Sequence, residues 1–282
     1  MTTQSAIPVM CFGVPASYSD QAMQAYFQGE EIAPSYCDHF EDVMTAVSGG
    51  RARYGVVPIE NSSTGGITEV YDLIQKYNCA VVGEKCIKIE HHLLALPGAA
   101  LSEIRTVYSH PQGFAQCRDF FNAHPDWKKV PYFSTSKSAE KVKKDGRTDQ
   151  AAVAGRMAAE LYGLQILQES IYSNHTNFTR FFIIAAAAET RPEADKITIV
   201  IAVRHEPGAL YHVLGYFFYG GMNMTHIESR PMEGRPFEYF FHIDVMGNLA
   251  DPSNAHTLQG LSTMCTYFRV LGNYVSDKGG KK

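Results

Sequence analysis

Two short segments of this chain combine residue types that can do chemistry. In Asn177-Phe178-Thr179-Arg180-Phe181-Phe182 a hydroxyl stands beside a guanidinium at the mouth of an apolar run, Phe181 to Ala188. A hydroxyl can donate a hydrogen bond or a proton, and a guanidinium can clamp a carboxylate through two parallel N–H groups. Further on, Gly208-Ala209-Leu210 and Glu228-Ser229-Arg230-Pro231 form a second compact set. The glycine motif leaves free backbone N–H groups at a helix start, which suits an amino-acid carboxylate. Chemistry upstream and a ligand sensor downstream is the arrangement of a feedback-regulated enzyme.

The elements that must position these residues follow from periodicity. A polar, Pro-containing connector from Glu189 to Asp195 divides the chain into a domain at 1–190 and a second at 196–276, with 277–282 expected as a loose tail. In the second domain, Lys196 to Val203 alternates as a strand. Gly208 then opens a helix whose Leu210, Val213, Leu214, Phe217 and Phe218 repeat at helical spacing, and Gly220-Gly221 ends it. Strands at 224–229 and 237–246, a helix at 255–265 and a strand at 267–274 complete a βαββαβ order, the ferredoxin-like unit.

The first domain alternates short apolar strands with helices, the α/β signature of a largely parallel sheet. Four strand-to-helix junctions are rich in hydroxyls. They are Ser17-Tyr18-Ser19, Asn61-Ser62-Ser63-Thr64-Gly65-Gly66, Ser109-His110-Pro111-Gln112 and Ser134-Thr135-Ser136. The third leads into one helix bearing Phe114, Cys117 and Phe121. Ordinary N-capping accounts for any one of these. Four together, at the carboxyl ends of strands, point to a small ligand with more than one carboxylate held by helix N-termini.

Bulk properties narrow the partners. With 25 Lys+Arg against 29 Asp+Glu in 282 residues and no basic stripe, neither nucleic acid nor a membrane surface is an expected partner. The longest apolar run is too short to span a bilayer, and no secretory pattern opens the chain, so the expected location is cytoplasmic. Six cysteines form no C-x-x-C pair and are expected as buried thiols. His91 and His92 are neighbours on a strand and so face opposite ways, which leaves no zinc site and no metal expected.

With these motifs in place, the chain resembles the prephenate dehydratase family, a catalytic domain followed by an ACT regulatory domain. The resemblance rests on Gly55-Val56-Val57-Pro58-Ile59-Glu60-Asn61-Ser62, Tyr108-Ser109-His110-Pro111-Gln112 with Gln116-Cys117, Asn177-Phe178-Thr179-Arg180-Phe181 and both C-terminal motifs, in the family's order. It implies a two-lobed, periplasmic-binding-protein-like catalytic domain with the substrate in the cleft. One departure lies in the first loop. Where the family has Gly-Pro-x-Gly, this chain has Gly13-Val14-Pro15-Ala16, and a left-handed conformation at Ala16 is disfavoured. Only a few residues precede the first strand, so the chorismate mutase fused to some relatives is not expected.

The implied reaction converts prephenate to phenylpyruvate with loss of CO2 and water, and needs no metal or organic cofactor. Thr179 is the candidate donor to the departing hydroxyl, with Glu60 weighed second because a carboxylate would repel the substrate. Arg180 is the second catalytic candidate, expected to polarise the site or hold the pyruvyl carboxylate, with a structural ion pair behind the cleft as the alternative. Ser17, Ser19, Asn61, Ser62, Thr64, Ser109, Gln116, Asn177 and Phe178 are assigned to substrate binding. The resemblance places L-phenylalanine at Gly208, Ala209, Leu210, Glu228, Ser229, Arg230 and Pro231, between chains, which implies self-association as a dimer or tetramer. Arogenate is the alternative substrate. A non-catalytic two-lobed binding protein and a phenylalanine sensor without activity are the readings from other classes.

Overall fold

A computed structural model describes residues 6–279. The first lobe is built from β1 (Ile7–Phe12), α1 (Tyr18–Tyr26), β2 (Ile32–Cys37), α2 (Phe40–Ser48), β3 (Tyr54–Asn61), the two-residue β4 (Gly65–Gly66), α3 (Thr68–Lys76) and β5 (Ala80–Lys88). The chain then crosses to a second lobe made of β6 (His92–Ala95), β7 (Thr106–Ser109), α4 (Pro111–Gln116), α5 (Arg118–Asn122), β8 (Lys128–Pro131), α6 (Thr135–Asp145), β9 (Gln150–Ala154), α7 (Arg156–Tyr162) and β10 (Gln165–Gln168). It returns as β11 (Phe178–Ala185), which lies antiparallel between β3 and β5. The first sheet therefore runs β2-β1-β3-β11-β5 and the second β10-β6-β9-β7-β8. Two chain crossings between two sheets leave a cleft, the two-lobed α/β arrangement expected.

The expected helix across 112–121 is two helices with a break at Cys117. There the Gln116 carbonyl accepts from Ser173 N at 2.9 Å, drawn out of the helical ladder by the segment that returns to the first lobe. Helix α4 keeps Pro111 at its first turn, where the missing N–H costs nothing.

The C-terminal domain follows as β12 (Lys196–Val203), α8 (Ala209–Tyr219), β13 (Met224–Met232), β14 (Arg235–Met246), α9 (Pro252–Met264) and β15 (Cys265–Tyr274). Its sheet order β13-β14-β12-β15, antiparallel throughout, is the ferredoxin-like one. Ile197, Ile199, Ile201, Ile243 and Val245 face the two helices, packing on Val213, Phe217, Leu258 and Leu261. The opposite face packs on the first lobe. Val200, Leu271 and Tyr274 share one core with Val57, Ile59, Tyr71 and Phe182. Covered on both faces, β12 is buried from Lys196 to Ala202, and its near-continuous apolar run follows from that. Gly272 sits where an added Cβ would fall on the Val81 carbonyl of β5, so only glycine lets the two domains approach this closely.

The segment expected as a loose tail begins with an anchored residue. The Asp277 carboxylate accepts from Cys86 N at 2.8 Å and pairs with Lys85 at 3.3 Å. Residues 280–282 lie outside the described residues.

Candidate active site

The cleft between the lobes encloses about 820 Å³, a size typical of small-molecule sites. All four hydroxyl-rich junctions reach its wall: Ser17 and Ser19 from the first, Asn61 and Thr64 from the second, His110 and Gln112 from the third, Ser134 and Thr135 from the fourth, with Gln116 added from the end of α4. The capping role is also real for three of them, His110 accepting from Gln112 N at 3.2 Å in the third. Ser17 accepts from Asp20 N at 3.2 Å and Ser134 from Lys137 N at 3.1 Å.

At the floor of the cleft, β3 and β11 bring Asn61 opposite Thr179. The Asn61 amide oxygen accepts from the backbone N–H groups of Ser63 and Thr64 at 2.9 and 3.2 Å. Those donors can be met only by an oxygen, so they fix the amide's orientation. Its NH2 therefore faces Thr179 and donates to the Thr179 Oγ1 at 3.0 Å and to the Asn177 Oδ1 at 2.8 Å. A hydroxyl that accepts from an amide keeps its own hydrogen free, and Thr179 lines the cavity. Gln116 is set from the other lobe. Its side chain meets His91 Nε2 at 2.6 Å, while His91 Nδ1 meets the Tyr18 hydroxyl at 2.9 Å. Burial pushes the His91 pKa down to about 4, so the imidazole adds no charge to the cleft.

Five residues expected at the substrate lie elsewhere. Ser109 is fully buried and its hydroxyl donates to the Val153 carbonyl at 3.1 Å, tying β7 to β9. Ser62 staples the two strands: it donates to the Thr176 carbonyl and accepts from Phe178 N. Asn177 stands behind Asn61 as its acceptor. The backbone carbonyl of Phe178 accepts from Asn61 at 3.2 Å, and its ring is not part of the wall. Arg180 does the second of the two jobs expected of it. One step along β11 from Thr179, it faces the C-terminal domain, pairing with Glu60 at 2.6 Å, Glu84 at 3.2 Å and Asp244 at 2.5 Å. Glu60 also receives His226 at 3.1 Å, and these partners, His226 first and then Arg180, bring its pKa down to about 2. Held low by these partners and absent from the cleft wall, Glu60 is not placed to act as the acid.

The first loop resolves against expectation. Ala16 adopts the left-handed conformation at φ 59°. Its N–H is held by the buried Asp20 carboxylate at 2.7 Å, which Tyr36 supports at 3.0 Å. His91, Asp38 and Lys137 are wall residues that the motifs do not announce. Among the described residues no three His, Cys, Asp or Glu side chains converge as metal ligands. No helix among them is long and apolar enough to cross a membrane.

The sequence model of the prephenate dehydratase family matches residues 9–189. The chain belongs to the prephenate dehydratase family. The bifunctional chorismate mutase/prephenate dehydratase of Escherichia coli K12 is 38% identical over 269 residues, covering 94% of this chain and 70% of that protein. The solved prephenate dehydratase from Arthrobacter aurescens in complex with L-Phe superposes with a TM-score of 0.85 at 32% identity, over 95% of this chain and 90% of that one. A second solved structure, described as GqqA, a novel type of quorum quenching acylase, gives 0.87 at 33% identity over 96% and 98% of the two chains.

In the C-terminal domain of this prephenate dehydratase family member, Gly208 caps α8 with φ 84°. Ala209 and Leu210 line a groove of about 350 Å³ with Arg204, Glu238 and Tyr239. The Glu228-Ser229-Arg230-Pro231 motif is not in that groove. Arg230 turns to the first lobe and forms a bidentate pair with Asp72 at 3.0 and 2.6 Å, and Glu228 abuts Gly66. Ser229 and Pro231 alternate outward on β13, an edge strand.

Proposed function

We propose that the cleft catalyses the decarboxylating dehydration of prephenate to phenylpyruvate, with L-phenylalanine as effector at the C-terminal domain. The observation that carries the reading is the Asn61–Thr179 hydrogen bond, in which Thr179 accepts and so has its proton to give. In the step itself the electron pair of the ring C–CO2 bond moves into the ring and releases CO2. The ring π electrons shift, and the C–O bond to the ring hydroxyl breaks. Thr179 donates to the departing oxygen so that it leaves as water, and solvent restores the proton. Aromatisation drives the reaction, so a weak acid held in place suffices. Asn61 orients Thr179, while Ser17, Ser19, Thr64 and Gln116 bind substrate. No metal or organic cofactor enters the scheme, and a biosynthetic lyase of this kind implies a cytoplasmic setting.

Amide hydrolysis, the activity named for the acylase relative, needs a nucleophile with a base in reach. On the described cleft wall Thr179 accepts from an amide nitrogen, His91 is engaged by Tyr18 and Gln116, and the Nδ1 of His110 accepts from Gln112 N. This favours the lyase reading.

For the effector, the two motifs of one chain do not meet, which supports a site completed by a second copy. The exposed Tyr211, Phe218, Tyr219 and Phe237, with the edge strand β13, form the face we assign to self-association as a dimer or tetramer. The test follows phenylpyruvate formation from prephenate with and without L-phenylalanine, beside light scattering for the assembly. Suppressible turnover supports both halves. Turnover of arogenate alone would move the substrate to arogenate, and silence with both would sink the enzyme reading.

A further inference from the structure

A substrate carrying two carboxylates needs positive charge, and the structure takes Arg180 out of the cleft. Among the described wall residues one Lys or Arg side chain remains, Lys137, and one carboxylate, Asp38. They pair with each other at 3.1 Å. Lys137 belongs to α6 of the second lobe and Asp38 follows β2 of the first, so the pair spans the mouth of the cleft. A neutral contact crosses beside it, from the Ser136 hydroxyl to the Pro15 carbonyl at 2.6 Å.

Three features say that this lysine is not placed for stability. It lies in the first turn of α6, where a cation opposes the helix dipole. Its partner Asp38 is 68% exposed, and an ion pair that open to water contributes little. A lysine is also a mobile point charge that can change partners without the fixed fork of an arginine. We propose that Lys137 is a substrate-binding residue: on substrate entry it leaves Asp38 and takes one of the two carboxylates deeper in the cleft, where water screens it less. Asp38 is the resting partner, holding the ammonium at the entrance. The inference rests on the cleft binding a dicarboxylate, as proposed above.

Steady-state kinetics with prephenate test it. Lys137→Gln raises KM roughly 10- to 100-fold, the usual worth of a hydrogen bond to a charged group, while kcat moves far less. Lys137→Arg recovers most of the affinity, and Asp38→Asn lowers KM because the competing carboxylate is gone. Rising ionic strength depresses kcat/KM of the wild type and barely that of Lys137→Gln. A wild-type KM in Lys137→Gln overturns the proposal while the lyase reading stands. So do equal rises of KM in Lys137→Gln and Asp38→Asn, which would make the pair a mere bridge between lobes. A wild-type protein that turns over neither prephenate nor arogenate removes the reading and this inference together.

Discussion

Thr179 and Arg180 are neighbours on one strand, opposite Asn61 and Glu60 on the next, yet the two faces they serve are built from different physics. Around Thr179 on the cleft floor the contacts are neutral: amide to hydroxyl, amide to amide, imidazole to phenol. On the other side the contacts are charged and buried. Arg180 and Lys196 meet Glu60, Glu84 and Asp244, with Thr198 donating to Asp244 at 2.7 Å. The contrast follows from what each face must do. A cleft floor from which CO2 and water depart is best lined with neutral groups that orient, the positive charge for the dianion standing at the mouth on Lys137. An interface between domains needs directional contacts that hold one geometry, and each buried charge there is costly unless every partner is present. Because Thr179 and Arg180 are adjacent on β11 and point to opposite faces, a displacement of that strand by the C-terminal domain would reach the cleft.

The comparison breaks if either face can do the other's work. The largest effect is expected on the cleft side. Thr179→Ala lowers kcat roughly 10²–10⁴-fold, the worth of a positioned acid, with little change in KM or melting temperature. Asn61→Asp should fall in the same range for a sharper reason. Its oxygen facing Thr179 would accept where the amide donates, so the threonine would spend its proton on the aspartate. Near-normal kcat in Thr179→Ala would remove it from the acid role.

Across the strand the signature inverts. Arg180→Met leaves Glu60, Glu84 and Asp244 with only their other partners, His226, Lys196 and Thr198, and should cost about 3–5 kcal/mol of stability, as for other broken buried pairs, read by urea unfolding. The folded fraction should keep most of its kcat but lose its response to L-phenylalanine. A large loss of kcat without a loss of stability would return Arg180 to the cleft.

How far this division was legible in the sequence differs between the faces. The strands, the ferredoxin-like order and the junctions at the sheet edge follow from local periodicity and cap chemistry. The pairing of Asn61 with Thr179 is a matter of register, which motifs hint at but do not fix. That Thr179 and Arg180 point opposite ways is implied by strand geometry alone. Which of them meets the substrate depends on where the C-terminal sheet docks, a contact between residues 64 positions apart for Arg180 and Asp244. Ser109 shows the same limit: at the carboxyl end of β7 a hydroxyl can face the ligand or the neighbouring strand, and it faces β9. Lys137 is silent in sequence because its meaning comes from Asp38, far along the chain in the other lobe.

Acid should loosen the interface by a smaller amount. His242 lies between the domains beside Tyr71, with neither ring nitrogen hydrogen-bonded, and burial pushes its pKa down to about 4. His91 in the cleft is depressed to the same value. In the unfolded chain both titrate near 6.5. The unfolded state therefore takes up protons first, and stability drops as pH falls from about 6.5 to about 4. Glu60 acts lower down: its contribution is whole above about 4.5 and is lost as pH falls toward 2. Melting temperatures at about pH 8 and about pH 5 should differ, and less so in His242→Phe, which removes an unpartnered buried polar ring. An unchanged pH dependence in that variant would show that the ring is solvated.

The smallest effect is expected at Ala16, a left-handed alanine on the cleft side. A left-handed alanine costs about 1–2 kcal/mol, here offset by the hydrogen bond from its N–H to Asp20 and by burial of its methyl group. Ala16→Gly relieves the strain but frees the unfolded chain and gives up the methyl packing, so the net gain should stay below about 1 kcal/mol. Ala16→Val adds a branched side chain that this backbone region excludes, and should lose more than the glycine gains. Urea midpoints of the three proteins should therefore rank Gly above Ala above Val. If valine were tolerated as well as alanine, the loop would have to relax out of the left-handed region and give up the hydrogen bond from the residue-16 N–H to Asp20.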